Sequence, residues 1–316
     1  MTKKPLVILT GPTAVGKTDL SIQLAKEING EIISADSMQI YKKMDIGTAK
    51  VTKEEMNGVS HYLIDELMPD EEFNVTIWKE RAKEALETIY AKGKIPIIAG
   101  GTGFYIQALL YDVDFTGDNN DYSYRKELHK LAEEKGADEL HKLLQEVDPE
   151  SAGKIHANNV KRVIRALEYH HLTGEKISLH NREQNEKKSN YNFVYFVLTM
   201  DRAQLYERIN RRVDIMLEQG LISEVKALKE EGYHKDMVSM QGIGYKEILD
   251  YLDGEYDYER AVYLLKQDTR HFAKRQMTWF RREKDVTLLN KDNFSSDEDL
   301  LHDMLMILKE RNILDE

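Results

Sequence analysis

The chain has 316 residues, 41% of them hydrophobic and 32% charged, enough to bury a sizeable core in one large domain or two modest ones. Its formal charge of −11 argues against a nonspecific nucleic-acid coat, which depends on releasing many counterions, but leaves room for a local basic groove. With no cysteine there is no disulfide, thiolate nucleophile or thiolate zinc site, and the ten histidines lack the His-Glu-x-x-His spacing, which leaves them structural or surface roles.

Leu6 to Thr10 is a short apolar run ending at a glycine, and Asp19 to Ile28 reads as a helix with Leu20, Leu24 and Ile28 on one face. Glu31 to Ala35 reads as a second strand and Lys94 to Ala99 as a third, with Pro96 near its beginning; between them Val75 to Tyr90 has helical spacing. Strands rich in isoleucine and valine, alternating with amphipathic helices, predict a mostly parallel α/β sheet covered on both faces. After Leu110 the character changes. Asp112 to Tyr124 is acidic, and from Arg125 the chain reads as almost wholly helical until the polar stretch Asn181 to Asn190, expected to be a loop or lid edge. Phe193 to Leu198 then reads as a strand returning to the sheet. It is followed by helices over Arg202–Gln219, Ser223–Glu230, Gly244–Leu252 and Tyr258–Arg282, an edge strand at Val286–Leu289 and a last helix at Leu300–Lys309. The expected organisation is an α/β core over 1–113, a helical insertion over 114–190, and a return to the core over 191–316. No apolar run approaches the roughly 20 residues of a membrane span, and Met1 to Pro5 leads straight into a strand, so a cytoplasmic location is expected.

Gly11-Pro12-Thr13-Ala14-Val15-Gly16-Lys17-Thr18 fits Gly-x-x-x-x-Gly-Lys-Thr between a predicted strand and a predicted helix, the context that makes a P-loop a strong signal. Backbone N–H groups of such a loop close around phosphate oxygens, Lys17 adds positive charge, and the Thr18 hydroxyl is the expected ligand of Mg2+. Asp36-Ser37-Met38-Gln39 follows the second strand, and Gly100-Gly101-Thr102-Gly103 the third, so all three segments should face one crevice at the carboxyl edge of the sheet. There Asp36 can take a proton from a nucleophile or hold Mg2+ through water, while Ser37 and Gln39 can bond a base or sugar directionally. The plainer reading of Asp36 is a turn cap.

Arg202, Arg208, Arg211 and Arg212 follow the returning strand, and the last three can share a helix face suited to gripping a leaving diphosphate, although arginines are commonly just solvated. From Thr269 to Arg282, Lys274, Arg275 and Arg281 alternate with Phe272, Trp279 and Phe280. RNA phosphate contact suits the cations, and packing suits Trp279 and Phe280.

Taken in order, these segments resemble the bacterial tRNA dimethylallyltransferases, also called tRNA isopentenyltransferases. The likeness runs through Gly11–Thr18, Asp36–Tyr41, Asp45–Lys50, Gly100–Tyr105, Arg162–Glu168, Gln241–Glu247 and Thr269–Gln276. The resemblance implies a P-loop fold with a helical insertion that contacts the tRNA anticodon arm. It also implies transfer of a dimethylallyl group from dimethylallyl diphosphate to N6 of the adenosine 3′ to the anticodon. Asp36 would then be the general base; Asp36, Ser37, Met38, Gln39 and Thr102 would touch the target nucleotide. The P-loop, with Arg208 or Arg211, would hold the donor diphosphate in place of ATP. Tyr124, Lys161, Arg162, Arg165 and Gln241 match positions expected to meet tRNA. Ala157, where the family often has proline, and Lys161, where it often has an amide, are departures bearing on RNA contacts.

No membrane partner and no obligate protein partner are expected, and the working form should be a monomer. Two other activities fit a P-loop in this setting. One is a kinase of a nucleotide or small metabolite; the other is an RNA-binding NTPase switch with Asp36 on the metal-bound water.

Overall fold

The structure, a computed structural model, describes residues 3–115 and 123–314. The chain divides into two compact units, one made of residues 1–109 and 190–316 and the other of Leu110–Ser189.

The first unit is built on six parallel strands: β1 (Lys4–Thr10), β2 (Gly30–Ala35), β3 (His61–Tyr62), β4 (Ile95–Gly100), β5 (Tyr191–Thr199) and β6 (Val286–Asn290). Their order across the sheet is β3-β2-β4-β1-β5-β6. From Leu6 to Thr10 and throughout β2 every residue is buried, as expected of strands covered on both faces, whose sequences run apolar instead of alternating. Pro96 lies at the second residue of β4, opposite Glu31; near the start of a strand the missing N–H costs the ladder little.

Register fixes where the motifs lie. Thr10 and Ala35 both pair with Gly100, so the residues that follow, Gly11, Asp36 and Gly101, leave three adjacent strands in one row at the carboxyl edge. β3 has only two residues, paired with Ile32 and Ile33, and has no apolar run to announce it.

Helix Arg202–Glu218 begins at Asp201, whose carboxylate accepts from the N–H groups of Ala203 and Gln204 at 2.8 and 3.2 Å. Its buried stripe, Leu205, Ile209 and Val213, fixes the rotation of the helix and so the direction of the neighbouring stripe Arg208, Arg212 and Met216. Helix Tyr258–Phe280 places Phe280 fully in the core, and the indole of Trp279 packs on Gly103, where an added Cβ would come within 2.2 Å of the ring. Both aromatics pack, as their sequence context suggests.

The second unit is helical, with Leu128, Leu140, Leu144, Val163 and Leu167 at its centre. Of the acidic stretch Asp112–Tyr124, residues 116–122 lie outside the described residues. The polar segment expected to be a loop is corrected here: Ile177–Glu186 is a helix, and only 187–190 remain outside regular structure. Buried Asp148 anchors it, accepting from the backbone N–H and the hydroxyl of both Ser151 and Ser178 at 2.7–3.1 Å. Among the described residues no helix is long and apolar enough to cross a membrane.

Candidate functional site

In the first unit the P-loop turns through left-handed backbone at Ala14 (φ 65°) and Gly16 (φ 97°) before Lys17–Glu27 begins. Val15 points inward and is fully buried, anchoring the loop to the core. The Lys17 ammonium donates to the carbonyls of Gly11 and Pro12 at 3.0 and 2.8 Å, which holds it over the loop. Although the side chain keeps some surface in contact with solvent, protein packs round the ammonium. Burial first, and the Arg212 guanidinium second, bring Lys17 down to about 7, while the Asp36 carboxylate pulls the other way.

Opposite the loop, Asp36 Oδ1 accepts from the N–H groups of Met38 and Gln39 at 2.8 and 3.3 Å. This bond caps the turn after β2, as the plainer reading of Asp36 required, and at the same time fixes the carboxylate at the mouth of the crevice. Gln39 lines the small space beside Asp36 and has a structural use as well. Its amide nitrogen donates to the carbonyls of Thr48 and Ala49 at 3.2 and 3.1 Å, so it ties down a neighbouring loop. Glu224 holds that loop from the other side, accepting from the N–H groups of Asp45, Ile46 and Gly47 at 3.0, 2.7 and 3.1 Å and from the Tyr245 hydroxyl at 2.6 Å. Three consecutive N–H groups aimed at one carboxylate form a nest, which makes the segment rigid.

Gln276 joins two of the three strand-end segments. Its Oε1 accepts from the Thr13 N–H at 2.9 Å, and its Nε2 donates to the Gly101 carbonyl at 3.0 Å. A Cβ on Gly101 would lie 2.1 Å from that nitrogen, so only glycine permits the approach.

Three spaces that share lining residues open on this framework. The widest, about 790 Å³, runs over Gly16, Lys17 and Thr18 beneath Arg208, Arg211 and Arg212. A second, of about 280 Å³, lies between Asp36, Ser37, Met38 and Thr102 on one side and Gln241, Arg275 and the apolar side chains Ile209, Val213 and Leu265 on the other. A small one of about 80 Å³ separates Thr18 from Asp36. Arg212 lines all three; burial lowers its pKa, with Asp36 and Glu55 opposing that shift. One face of the site is thus an anion cradle, the other a part-apolar cavity with a carboxylate at its edge, and Arg212 stands where they meet.

Sequence reasoning placed most of these residues in the crevice but chose Arg208 or Arg211 among the arginines. The Arg208 Nε donates to the Ala14 carbonyl at 2.9 Å, bracing the P-loop, and Arg211 is exposed at the rim of the wide space. Gln276 and Glu224 were missed as site residues. Gln276 closes a sequence motif and so offered a signal; Glu224 is a lone glutamate on a helix and offered none. Lys274 and Arg281 are exposed on the last turns and cap of Tyr258–Phe280, away from the three spaces. In the second unit, Lys161 and Arg162 are exposed on Val160–Thr173, while Arg165 lies 3.6 Å from Glu168. Tyr124 is stacked on His171 with ring centroids 3.9 Å apart. Among the described residues no group of three or more His, Asp or Glu is placed to hold a metal ion.

A family model described as IPP transferase matches residues 39–283. The tRNA dimethylallyltransferase of Lachnoclostridium phytofermentans is 62% identical over 311 residues, covering 98% of this chain and 99% of that protein. Among solved structures, the full-length tRNA isopentenylpyrophosphate transferase of Bacillus halodurans is 44% identical with a TM-score of 0.73, covering 98% of both chains. A eukaryotic dimethylallyltransferase crystallised acting on tRNA is 31% identical with a TM-score of 0.83, over 97% of this chain and 79% of that one. The matched residues and the near full-length relatives together show that this chain belongs to the IPP transferase family.

Proposed function

We propose that this protein transfers the dimethylallyl group of dimethylallyl diphosphate to N6 of the adenosine 3′-adjacent to the anticodon in tRNA, releasing diphosphate. The observation that carries this reading is the meeting of Lys17, Arg212 and Asp36 where the anion cradle joins the part-apolar cavity. The diphosphate lies on the P-loop, and the target base enters the cavity beside Asp36 and Thr102. An adenine amino group is a weak nucleophile because its lone pair is delocalised into the ring. As the nitrogen–carbon bond forms and the carbon–oxygen bond to diphosphate breaks, Asp36 takes the amino proton. Lys17, Arg212 and the loop N–H groups stabilise the charge that develops on the leaving diphosphate. A base in a single-stranded loop is cheaper to turn into such a cavity than one in a duplex.

Mg2+ fits this arrangement as an ion carried by the diphosphate. Thr18 offers one hydroxyl and Asp36 one carboxylate across the small space, too few ligands to hold the ion alone but suited to completing a phosphate-bound shell. Bound there, it would neutralise charge on the leaving group. The exposed cations Lys161 and Arg162, with Tyr124, are assigned to the anticodon arm, as are Lys274, Arg275 and Arg281. The proposed working form is a monomer, acting in the cytoplasm where its tRNA substrate is found.

The test is mass spectrometry of unmodified tRNA incubated with purified protein, Mg2+ and dimethylallyl diphosphate without ATP. The expected result is one dimethylallyl adduct on the loop adenosine. Asp36→Ala should lower the rate by about 10²-fold or more, the worth of a positioned base, while pyrophosphate binding persists. No adduct from folded protein, together with phosphate transfer when ATP is supplied, would overturn the reading in favour of a kinase.

A further inference from the structure

Lys291 immediately follows β6, at the same carboxyl edge of the sheet as the P-loop and Asp36, and lies beyond the residues matched by the family model. Its side chain is only 14% exposed, and its ammonium pairs with Asp297 Oδ1 at 2.6 Å. The same ammonium stands 3.1 Å from the point a Cβ on Gly16 would occupy, and the Arg208 guanidinium stands 3.8 Å from that point. Two cations therefore crowd one glycine of the P-loop. Gly16 is also the N-cap of Lys17–Glu27, which adds the positive end of a helix. Arg208 is exposed to solvent, but the Lys291 ammonium is held largely out of water, where a charge is unfavourable without a compensating anion. Asp297 balances one of the two cations.

We propose that Lys291 is a further diphosphate-binding residue, supporting the donor from the Gly16 side of the P-loop together with Arg208. This rests on the reading that the P-loop holds the donor diphosphate. In the alternative, Lys291 only ties the turn after β6 to helix Asp297–Glu310. Two variants separate these roles: Lys291→Met removes the cation, and Asp297→Asn removes the tie while keeping the cation.

The experiment is calorimetric titration of inorganic pyrophosphate into the full-length wild type and both variants, with steady-state KM values for dimethylallyl diphosphate and for tRNA. Lys291→Met should weaken pyrophosphate binding about tenfold, the worth of one charge-assisted contact. It should raise the donor KM by a similar factor and leave the tRNA KM unchanged. Asp297→Asn should bind pyrophosphate at least as tightly as the wild type, and Lys291→Arg should recover most of the affinity. Lys291→Gln serves in place of Lys291→Met if the latter folds poorly. Wild-type affinity in Lys291→Met, or equal losses in Lys291→Met and Asp297→Asn, overturns the inference while the P-loop reading stands. A wild type that binds no pyrophosphate overturns both, and is distinguished by that fact.

Discussion

Lys17 should make the empty protein less stable at neutral pH than at alkaline pH, and Lys17→Met should remove that dependence. Burial and Arg212 take the folded-state pKa of Lys17 from 10.5 to about 7. Over that window the unfolded chain binds more protons than the folded one, so the sign is fixed: stability rises with pH, and the penalty is fully present below about pH 7. Integrating the proton difference from about pH 7 to about pH 9 gives the wild type a gain of about 2 kcal/mol that the variant lacks. Every other side chain is shared by the two proteins, so subtracting their curves isolates Lys17. Trp78 and Trp279 both lie in the α/β unit, so tryptophan fluorescence during urea unfolding follows the relevant unit. Parallel stability curves for the two proteins would show that the ammonium is not strained by its surroundings, and would refute a cradle that holds its charge out of water. A bound diphosphate puts negative charge beside the ammonium and restores its proton. Pyrophosphate binding at about pH 8 should therefore take up more protons in the wild type than in Lys17→Met, seen as a difference between the two in how the calorimetric heat depends on the buffer's ionisation enthalpy.

Other side chains give equally direct expectations. Gln276→Ala leaves the Thr13 N–H and the Gly101 carbonyl without their partner and should destabilise the α/β unit by about 1–3 kcal/mol, read from the same fluorescence transition. Asp148→Ala strips four hydrogen bonds from a buried site in the helical unit. It should cost about 3 kcal/mol or more and speed amide exchange in Ile177–Glu186 while leaving pyrophosphate affinity unchanged. Arg212→Ala should lower the transfer rate by about 10²-fold or more, as removal of a preorganised donor does, whereas exposed Arg211→Ala should change it by no more than about threefold; equal effects on the rate would remove Arg212 from its assigned place.

The sheet was legible wherever burial on both faces wrote itself as an apolar run, as in β1, β2, β4 and β5. Where a strand is held by only two ladder positions, as at His61 and Tyr62, local sequence carries nothing to read. Helix Ile177–Glu186 was hidden for a different reason. Asn181, Arg182, Glu183 and Gln184 form no apolar stripe, and the helix is held by partners distant in sequence: Ser178 on Asp148, and the Gln184 Oε1 accepting from the Asp114 N–H at 3.0 Å. Such polar contacts have no period for a sequence to display.

The site divides in the same way. Residues that belong to a loop just after a strand announced themselves, because parallel strands must deliver their ends to one edge. Residues that act across the fold did not. Gln39 lines the small space beside Asp36, as its place after a strand suggests, but its N–H groups are spent on Thr48 and Ala49, and only tertiary structure reveals that use. The arginines show the limit most clearly. Arg208, Arg211 and Arg212 lie three and four residues apart, so helical spacing puts all of them near one face and cannot rank them. Burial of Leu205, Ile209 and Val213 sets the rotation of their helix, and it is that rotation which braces Arg208 on Ala14, leaves Arg211 at the rim of the wide space, and brings Arg212 into the small space that Lys17 and Asp36 line. All three arginines line the space over the P-loop, and what distinguishes the surroundings of these chemically equal side chains is the apolar stripe beside them, whose partners lie elsewhere in the chain.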